Sequence, residues 1–123
     1  MENADQKGNI EKDLQQEQGA KWVRVCDNSS LKNGDMLDFD STDGRKVLIA
    51  KASDRVFATD RICTHAYADL STGIMNEQLK TVTCPLHLSS FNLEDGLPEN
   101  LPAKDPLKTY KVKIQDNSIY ILL

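Results

Sequence analysis

From Trp22 onward the chain runs in short apolar segments separated by turn residues, a pattern that fits strands and not amphipathic helices. Trp22 to Cys26 predicts a first strand, and the stretch behind it, Asp27 to Gly34, is rich in turn formers. Met36 to Phe39 predicts a strand that pairs with Arg45 to Lys51 across a turn at Ser41 to Gly44. Within that second strand Val47 to Ala50 is apolar without a break. Ser53-Asp54 predicts a tight hairpin into Val56 to Thr59. Near the end, Tyr110, Val112 and Ile114 alternate with Lys111 and Lys113, the period of a half-buried strand. Asp116-Asn117 suits a two-residue turn, because Asn and Asp tolerate positive φ, and Ile119 to Leu122 returns beside it.

Two segments break this rhythm. Residues 1 to about 19 are polar, with Ile10 and Leu14 the only large apolar side chains after Met1. Two apolar residues bury too little surface to offset the entropy of ordering, so this stretch is expected to be a disordered tail ahead of a domain over 20–123. The second segment, Ile62 to Pro106, holds all four prolines and reads as long loops set on a compact β framework. Loops of that length on a small domain usually carry a function.

Size and charge narrow the classes. The 123 residues fit one domain with a modest core. No apolar run approaches the length of a membrane span, and the acidic, polar start is unlike a signal peptide, so a cytoplasmic protein is expected. The formal net charge of −4 argues against nucleic acid, which needs a basic footprint. A mildly acidic protein docks more readily on a partner with a basic patch.

The chemistry lies in three cysteines and two histidines. Both histidines stand within three residues of a cysteine, in Cys63-Thr64-His65 and Cys84-Pro85-Leu86-His87, with eighteen residues between the pairs. Thiolate and imidazole are soft-to-borderline metal ligands, and two of each in paired spacing mark a metal site. A structural zinc ion is one reading, although zinc pairs usually run Cys with Cys and then His with His. One Cys and one His from each of two facing loops suits a two-iron cluster better. Cys26 lies far from both pairs and is expected to be a buried strand residue.

The segments Cys63-Thr64-His65-Ala66 and Cys84-Pro85-Leu86-His87 resemble the paired cluster loops of Rieske ferredoxins and Rieske oxygenase domains. Trp22-Val23-Arg24-Val25, Val56-Phe57-Ala58-Thr59, Leu70-Ser71-Thr72-Gly73 and Phe91 to Gly96 with Leu101-Pro102-Ala103 are similar to the same family. The resemblance implies an all-β fold, an antiparallel sandwich or barrel framework with an inserted cluster-binding subdomain over about 61–103. It implies a Rieske 2Fe–2S cluster with Cys63 and Cys84 on one iron and His65 and His87 on the other. The implied function is one-electron transfer between a reductase and an acceptor such as an oxygenase, with no substrate pocket and no catalytic residue. Archaeal ferredoxins of the sulredoxin kind are another likeness, and the small Rieske-like subunit of a nitrite reductase is an alternative within the same resemblance.

The chain departs from the family at named positions. Respiratory members carry a disulfide between the loops, and Ala68 and Leu86 stand in its place. Leu88 occupies a position where glycine is frequent. The resemblance gives Ser89 a hydroxyl donated to cluster sulfur, and puts Phe91 where respiratory members have a donating tyrosine. Trp22 and Tyr110 are expected in the core, and Lys104, Lys108, Lys111 and Lys113 along a solvated edge. Pro85 is expected to stiffen its loop by fixing φ.

Overall fold

The computed structural model describes residues 19–86 and 88–123, and these described residues form ten short strands and no α-helix. The tail expected over 1–19 lies, apart from Gly19, outside the described residues.

Three antiparallel sheets organise the strands. In the first, β1 (Trp22–Asp27) pairs with β10 (Ser118–Leu122), which pairs in turn with β9 (Val112–Gln115). The second has the order β2 (Met36–Asp40), β3 (Lys46–Ala52), β4 (Arg55–Asp60) and β8 (Thr109–Tyr110). The third is built from β5 (Ile74–Asn76), β6 (Thr81–Thr83) and β7 (Ser90–Asn92). It lies in sequence wholly between β4 and β8, as an insertion into the framework.

The unbroken apolar run in β3 has a structural cause. Val47 and Ile49 point into one core with Leu31, Ala58, Ile119 and Ile121. Leu48, Ala50 and Ala52 point the other way, into a second core with Phe57, Leu70, Val82, Phe91 and both Cys63 and Cys84. Successive side chains on a strand face opposite sides, so a strand between two cores must be apolar throughout. β3 therefore joins the framework to the layer that carries the metal-ligand candidates.

The two predicted hairpin turns form as expected. Ser53 and Asp54, at φ 52° and 64°, link β3 to β4, and Asp116 and Asn117, at 51° and 62°, link β9 to β10. Paired left-handed residues match the twist of the flanking strands.

Three expectations need correction. Ile62 to Pro106 is not simply long loops, because it contains the third sheet. Its strands are three residues each, too short to display a period. The single strand read through Tyr110, Val112 and Ile114 is two: Tyr110 pairs with Ala58 of β4, whereas Val112 pairs with Ile121 of β10. The chain changes sheets at Lys111, which leaves Ile114 exposed on an edge strand. Trp22 is half-buried and belongs to neither core. Lys113 lies 4.6 Å from the centre of its ring and 5.3 Å from that of Tyr120, so this lysine covers aromatic surface and is itself half-buried. Lys104, Lys108 and Lys111 are exposed, as expected. Tyr110 and Cys26 are partly buried against the first core.

Candidate metal centre

The two Cys/His segments fold as near copies of each other. In the first, the Cys63 N–H donates to the Ala68 carbonyl (2.8 Å), and the Tyr67 N–H donates back to the Cys63 carbonyl (3.2 Å). In the second, the Cys84 N–H donates to the Ser89 carbonyl (2.8 Å), and the Leu88 N–H donates back to the Cys84 carbonyl (3.1 Å). Each is a six-residue loop closed at its base, with the fifth residue left-handed: Tyr67 at φ 55° and Leu88 at 63°. Thus Leu88 takes the conformation that favours glycine while carrying a side chain. The sequence spacing differs only in where the histidine falls, third in the first loop and fourth in the second.

The loops bring Cys63 and Cys84 together. Both thiols are free and buried, and they lie within hydrogen-bonding contact of each other. Burial pushes the Cys63 thiol above its usual range, opposed by the backbone N–H groups of Ala66 and His65, which donate to its sulfur. Those two donors favour the thiolate, the form that binds metal. His65 is exposed on the first loop, and His87 lies outside the described residues. Among the described residues, no three His, Cys, Asp or Glu side chains gather into a single-ion array.

A third segment straps the loops. Thr64 Oγ1 donates to the Asp105 carbonyl (2.8 Å), which ties the first loop to residues 100–105. Asn100 Nδ2 donates to the Leu88 carbonyl (3.2 Å), while its Oδ1 accepts from the Ser90 N–H (2.7 Å). The buried Ser89 Oγ accepts from the Ala103 N–H (3.0 Å), so the oxygen is engaged and its own proton remains available to donate. Phe91 is fully buried in the same core as the cysteines and has no hydroxyl to offer.

Sequence reasoning missed Arg61. It is 4% exposed, two residues before Cys63, and joins the framework to the far end of the first loop. Its Nη2 donates to Asp40 Oδ1 (2.8 Å) and its Nη1 to the Phe39 carbonyl (3.2 Å). Its Nε lies 3.3 Å from Asp69 Oδ2, an ion-pair contact without hydrogen-bond alignment. Asp69 in turn accepts from the Ser71 N–H and hydroxyl, fixing the turn that follows the loop. An arginine in a polar stretch has no local signature of burial, and Asn100 is equally silent in sequence. Away from these loops, a groove of about 710 Å³ lies on the framework, lined by Arg45, Phe57, Glu94, Lys108, Tyr110 and Leu123 among others, and by no residue of either loop.

Two buried thiols in contact, set in matched loops that each also carry a histidine, fit a metal group with mixed sulfur and nitrogen ligands. The fold and the site define a small β protein whose inserted layer presents a paired-loop redox centre. The chain belongs to the Rieske [2Fe–2S] domain family, whose model matches residues 21–111. It is 30% identical over 101 residues to the ferredoxin component of the naphthalene 1,2-dioxygenase system of Pseudomonas putida, covering 82% of this chain and 94% of that one. Among solved structures it resembles the ferredoxin of carbazole 1,9a-dioxygenase from Nocardioides aromaticivorans IC177, with a TM-score of 0.78, 33% identity, and 82% and 96% of the two chains covered. It also resembles a chain in a complex of reduced oxygenase and oxidized ferredoxin in carbazole 1,9a-dioxygenase, with a TM-score of 0.77, 27% identity, and 81% and 91% covered. Its function is electron transfer on a Rieske-type 2Fe–2S cluster, as a carrier and not an enzyme. No helix among the described residues is long and apolar enough to cross a membrane.

Proposed function

We propose that Cys63 and Cys84 hold one iron of the cluster and His65 and His87 the other, and that the protein passes single electrons from a reductase to the oxygenase component of a dioxygenase system in the cytoplasm. The domain over 20–123 does this with a cluster-binding subdomain spanning about 61–103. The observation that carries the ligand assignment is the matched hydrogen bonding of the two loops, which sets Cys63 against Cys84. The partner rests on the relatives named as ferredoxin components of dioxygenase systems, one of them solved with its oxygenase.

When bound, the cluster supplies a one-electron couple, made easier to reduce than an all-thiolate centre because two neutral imidazoles replace two thiolates. The residues around it set the terms. N–H groups of His65 and Ala66 stabilise negative charge on Cys63 sulfur. The buried cysteine side keeps water from the sulfurs, while exposed His65 faces solvent on the outer side.

Iron and acid-labile sulfide, together with the electron paramagnetic resonance spectrum of the reduced protein, test the assignment. Replacing Cys63, His65, Cys84 or His87 by Ala is expected to deplete the cluster severely, and Cys26→Ser is expected to leave it in place. A cluster retained in Cys63→Ala and lost in Cys26→Ser would sink the assignment. A colourless wild-type protein holding one zinc ion would sink the function.

A further inference from the structure

The two loops share a backbone geometry but differ in what holds their stems. The second loop closes a paired stem: Thr81, Val82 and Thr83 of β6 face Asn92, Phe91 and Ser90 of β7, and Thr83 Oγ1 and Ser90 Oγ lie 2.7 Å apart. The stem of the first loop is an isolated bridge of Ile62 with Asp69, beside a Leu70 N–H donated to the Arg61 carbonyl (2.8 Å). Where the second stem has strands, the first has Arg61. Its N–H donates to the Lys46 carbonyl on β3 (3.0 Å), and its side chain is bound to Phe39 and Asp40 on β2. From there Nε reaches Asp69 at 3.3 Å. Taking a guanidinium out of water is costly, and apolar side chains fill such a space at less cost. The four charges gathered here, Arg61, Lys46, Asp40 and Asp69, cancel in number but not in burial. The Arg61 side chain is 5% exposed, against 53% for Lys46, 64% for Asp40 and 38% for Asp69. Water screens the outer three, so the field left inside the protein is that of the guanidinium.

We propose that Arg61 is a positioning residue for the redox centre: its buried guanidinium clamps the stem of the Cys63–His65 loop to the framework, and its positive charge favours the reduced cluster. This rests on the ligand assignment above. Cys63 stands two residues beyond Arg61, a span of at most about 7 Å of chain. An added electron makes the cluster more negative, and a buried cation at that range stabilises it. The clamp is hydrogen-bonded at its framework end and ionic at its loop end, where Nε has no aligned acceptor. Asp69 is the loop's half of the clamp, itself fixed by the Ser71 N–H and hydroxyl. The two members therefore act alike on the stem and oppositely on the cluster. Removing either loosens the first loop. Removing the cation makes the cluster harder to reduce, whereas removing the anion makes it easier.

The test compares Arg61→Met, Arg61→Lys and Asp69→Asn with wild type as cluster-loaded proteins, by redox titration and by the rate of iron release to a chelator. Arg61→Met is expected to lower the reduction equilibrium about tenfold, a shift of about 59 mV for one electron. Asp69→Asn is expected to shift it the other way, and Arg61→Lys, which keeps the charge and loses the planar fork, by less than about threefold. All three are expected to release iron faster than wild type. Loosening of the fold alone gives no reason for opposite signs in Arg61→Met and Asp69→Asn. Shifts of the same sign in those two, or an Arg61→Met protein with the wild-type potential, overturn the proposal. Should Arg61→Met fail to fold, iron release at the wild-type rate in both Arg61→Lys and Asp69→Asn overturns it. Hydrogen exchange at the Leu70 amide, read by mass spectrometry, follows the stem whatever metal is bound, and is expected to quicken in Asp69→Asn relative to that of Ile119 in the framework. An unchanged Leu70 amide overturns the clamp, whereas a wild-type protein without the Rieske spectrum overturns the ligand assignment instead.

Discussion

Gly73 links the two cluster loops through a close approach of backbone. It follows the turn after the first loop, with its N–H on the Leu70 carbonyl (3.0 Å). A Cβ built there falls 2.1 Å from the Thr83 carbonyl oxygen and 3.2 Å from its carbon. Thr83 immediately precedes Cys84, so Gly73→Ala pushes against the strand that delivers the second cysteine. The φ of −87° at Gly73 suits any residue, and the requirement is therefore steric alone. Restoring ordinary contact means moving β6 by roughly 1 Å, while β5 and β7 hold it from either side. Overpacking of this kind costs up to about 3 kcal/mol, which lowers Tm by about 10–20 °C in a domain of this size. Gly44→Ala is the control. Unlike Gly73 it needs a glycine-like φ (91°), but its Cβ meets nothing within 4 Å, so the cost is that of the backbone alone, about 1–2 kcal/mol. Thermal melting of the cluster-loaded protein by circular dichroism reads the first effect, and the visible dichroism of the cluster reads the displacement of Cys84. A Gly73→Ala protein that melts within about 3 °C of wild type with an unchanged cluster spectrum refutes the reasoning.

Leu88→Gly is expected to raise stability by about 0.5 kcal/mol, because relief of the left-handed backbone outweighs the extra entropy of glycine in the unfolded chain. A shift of the urea midpoint to lower concentration would count against it. Tyr110→Phe removes the hydroxyl that donates to Asp60 Oδ1 at 2.6 Å and is expected to cost about 1 kcal/mol by urea denaturation at neutral pH, whereas an unchanged midpoint would mean the bond adds nothing. For Asp69, burial works to raise the carboxyl, but hydrogen bonds from Ser71 and the charge of Arg61 prevail and hold it below its usual value of 3.8. Its stabilisation is therefore present above that value and lost as pH falls through the lowered one. Melting from pH 6 to 3 is expected to fall less steeply in Asp69→Asn than in wild type, and parallel curves would refute this.

The framework was legible because its strands are long enough to show a period and its turns carry diagnostic residues. Ser53-Asp54 and Asp116-Asn117 are left-handed where the sequence asks for it. The run Val47 to Ala50 stood out as apolar without a break, and the two cores on either side of β3 supply its reason. Legibility failed where a feature depends on distant partners. Each strand of the third sheet contributes a single inward residue, Met75, Val82 or Phe91, and one residue has no period. Arg61 looks like a surface charge until Asp40, on β2, and Asp69, just past the first loop, close on it from two sides. The cysteines and histidines were legible as a metal site by type and spacing. That their loops share one backbone geometry was hidden, because the histidine sits at different steps in the two.

The two cores differ in what they depend on, and removal of iron separates them. The first core, with Val47, Ile49, Ala58, Ile119 and Ile121, contains no candidate ligand and is closed by β1, β10 and the central sheet. The second has Cys63 and Cys84 within it, as buried as Val82 and Phe91 beside them. Positions 68 and 86 are not cysteines, and all three thiols are free, so no disulfide ties the loops. What joins them is the strap through Asn100, Ala103 and Asp105 and the approach of Gly73 to Thr83, while the Arg61–Asp69 contact holds the end of the first loop to the framework. A metal group bound by both cysteines adds the link across the centre, and its binding free energy is then folding free energy for this layer. Chelation of iron under reducing conditions is accordingly expected to strip hydrogen-exchange protection from β5, β6 and β7 while β1, β3 and β10 keep theirs. Equal loss of protection in both layers would show that the protein unfolds as one unit, and that β3 couples the two cores too tightly for the inserted layer to open alone.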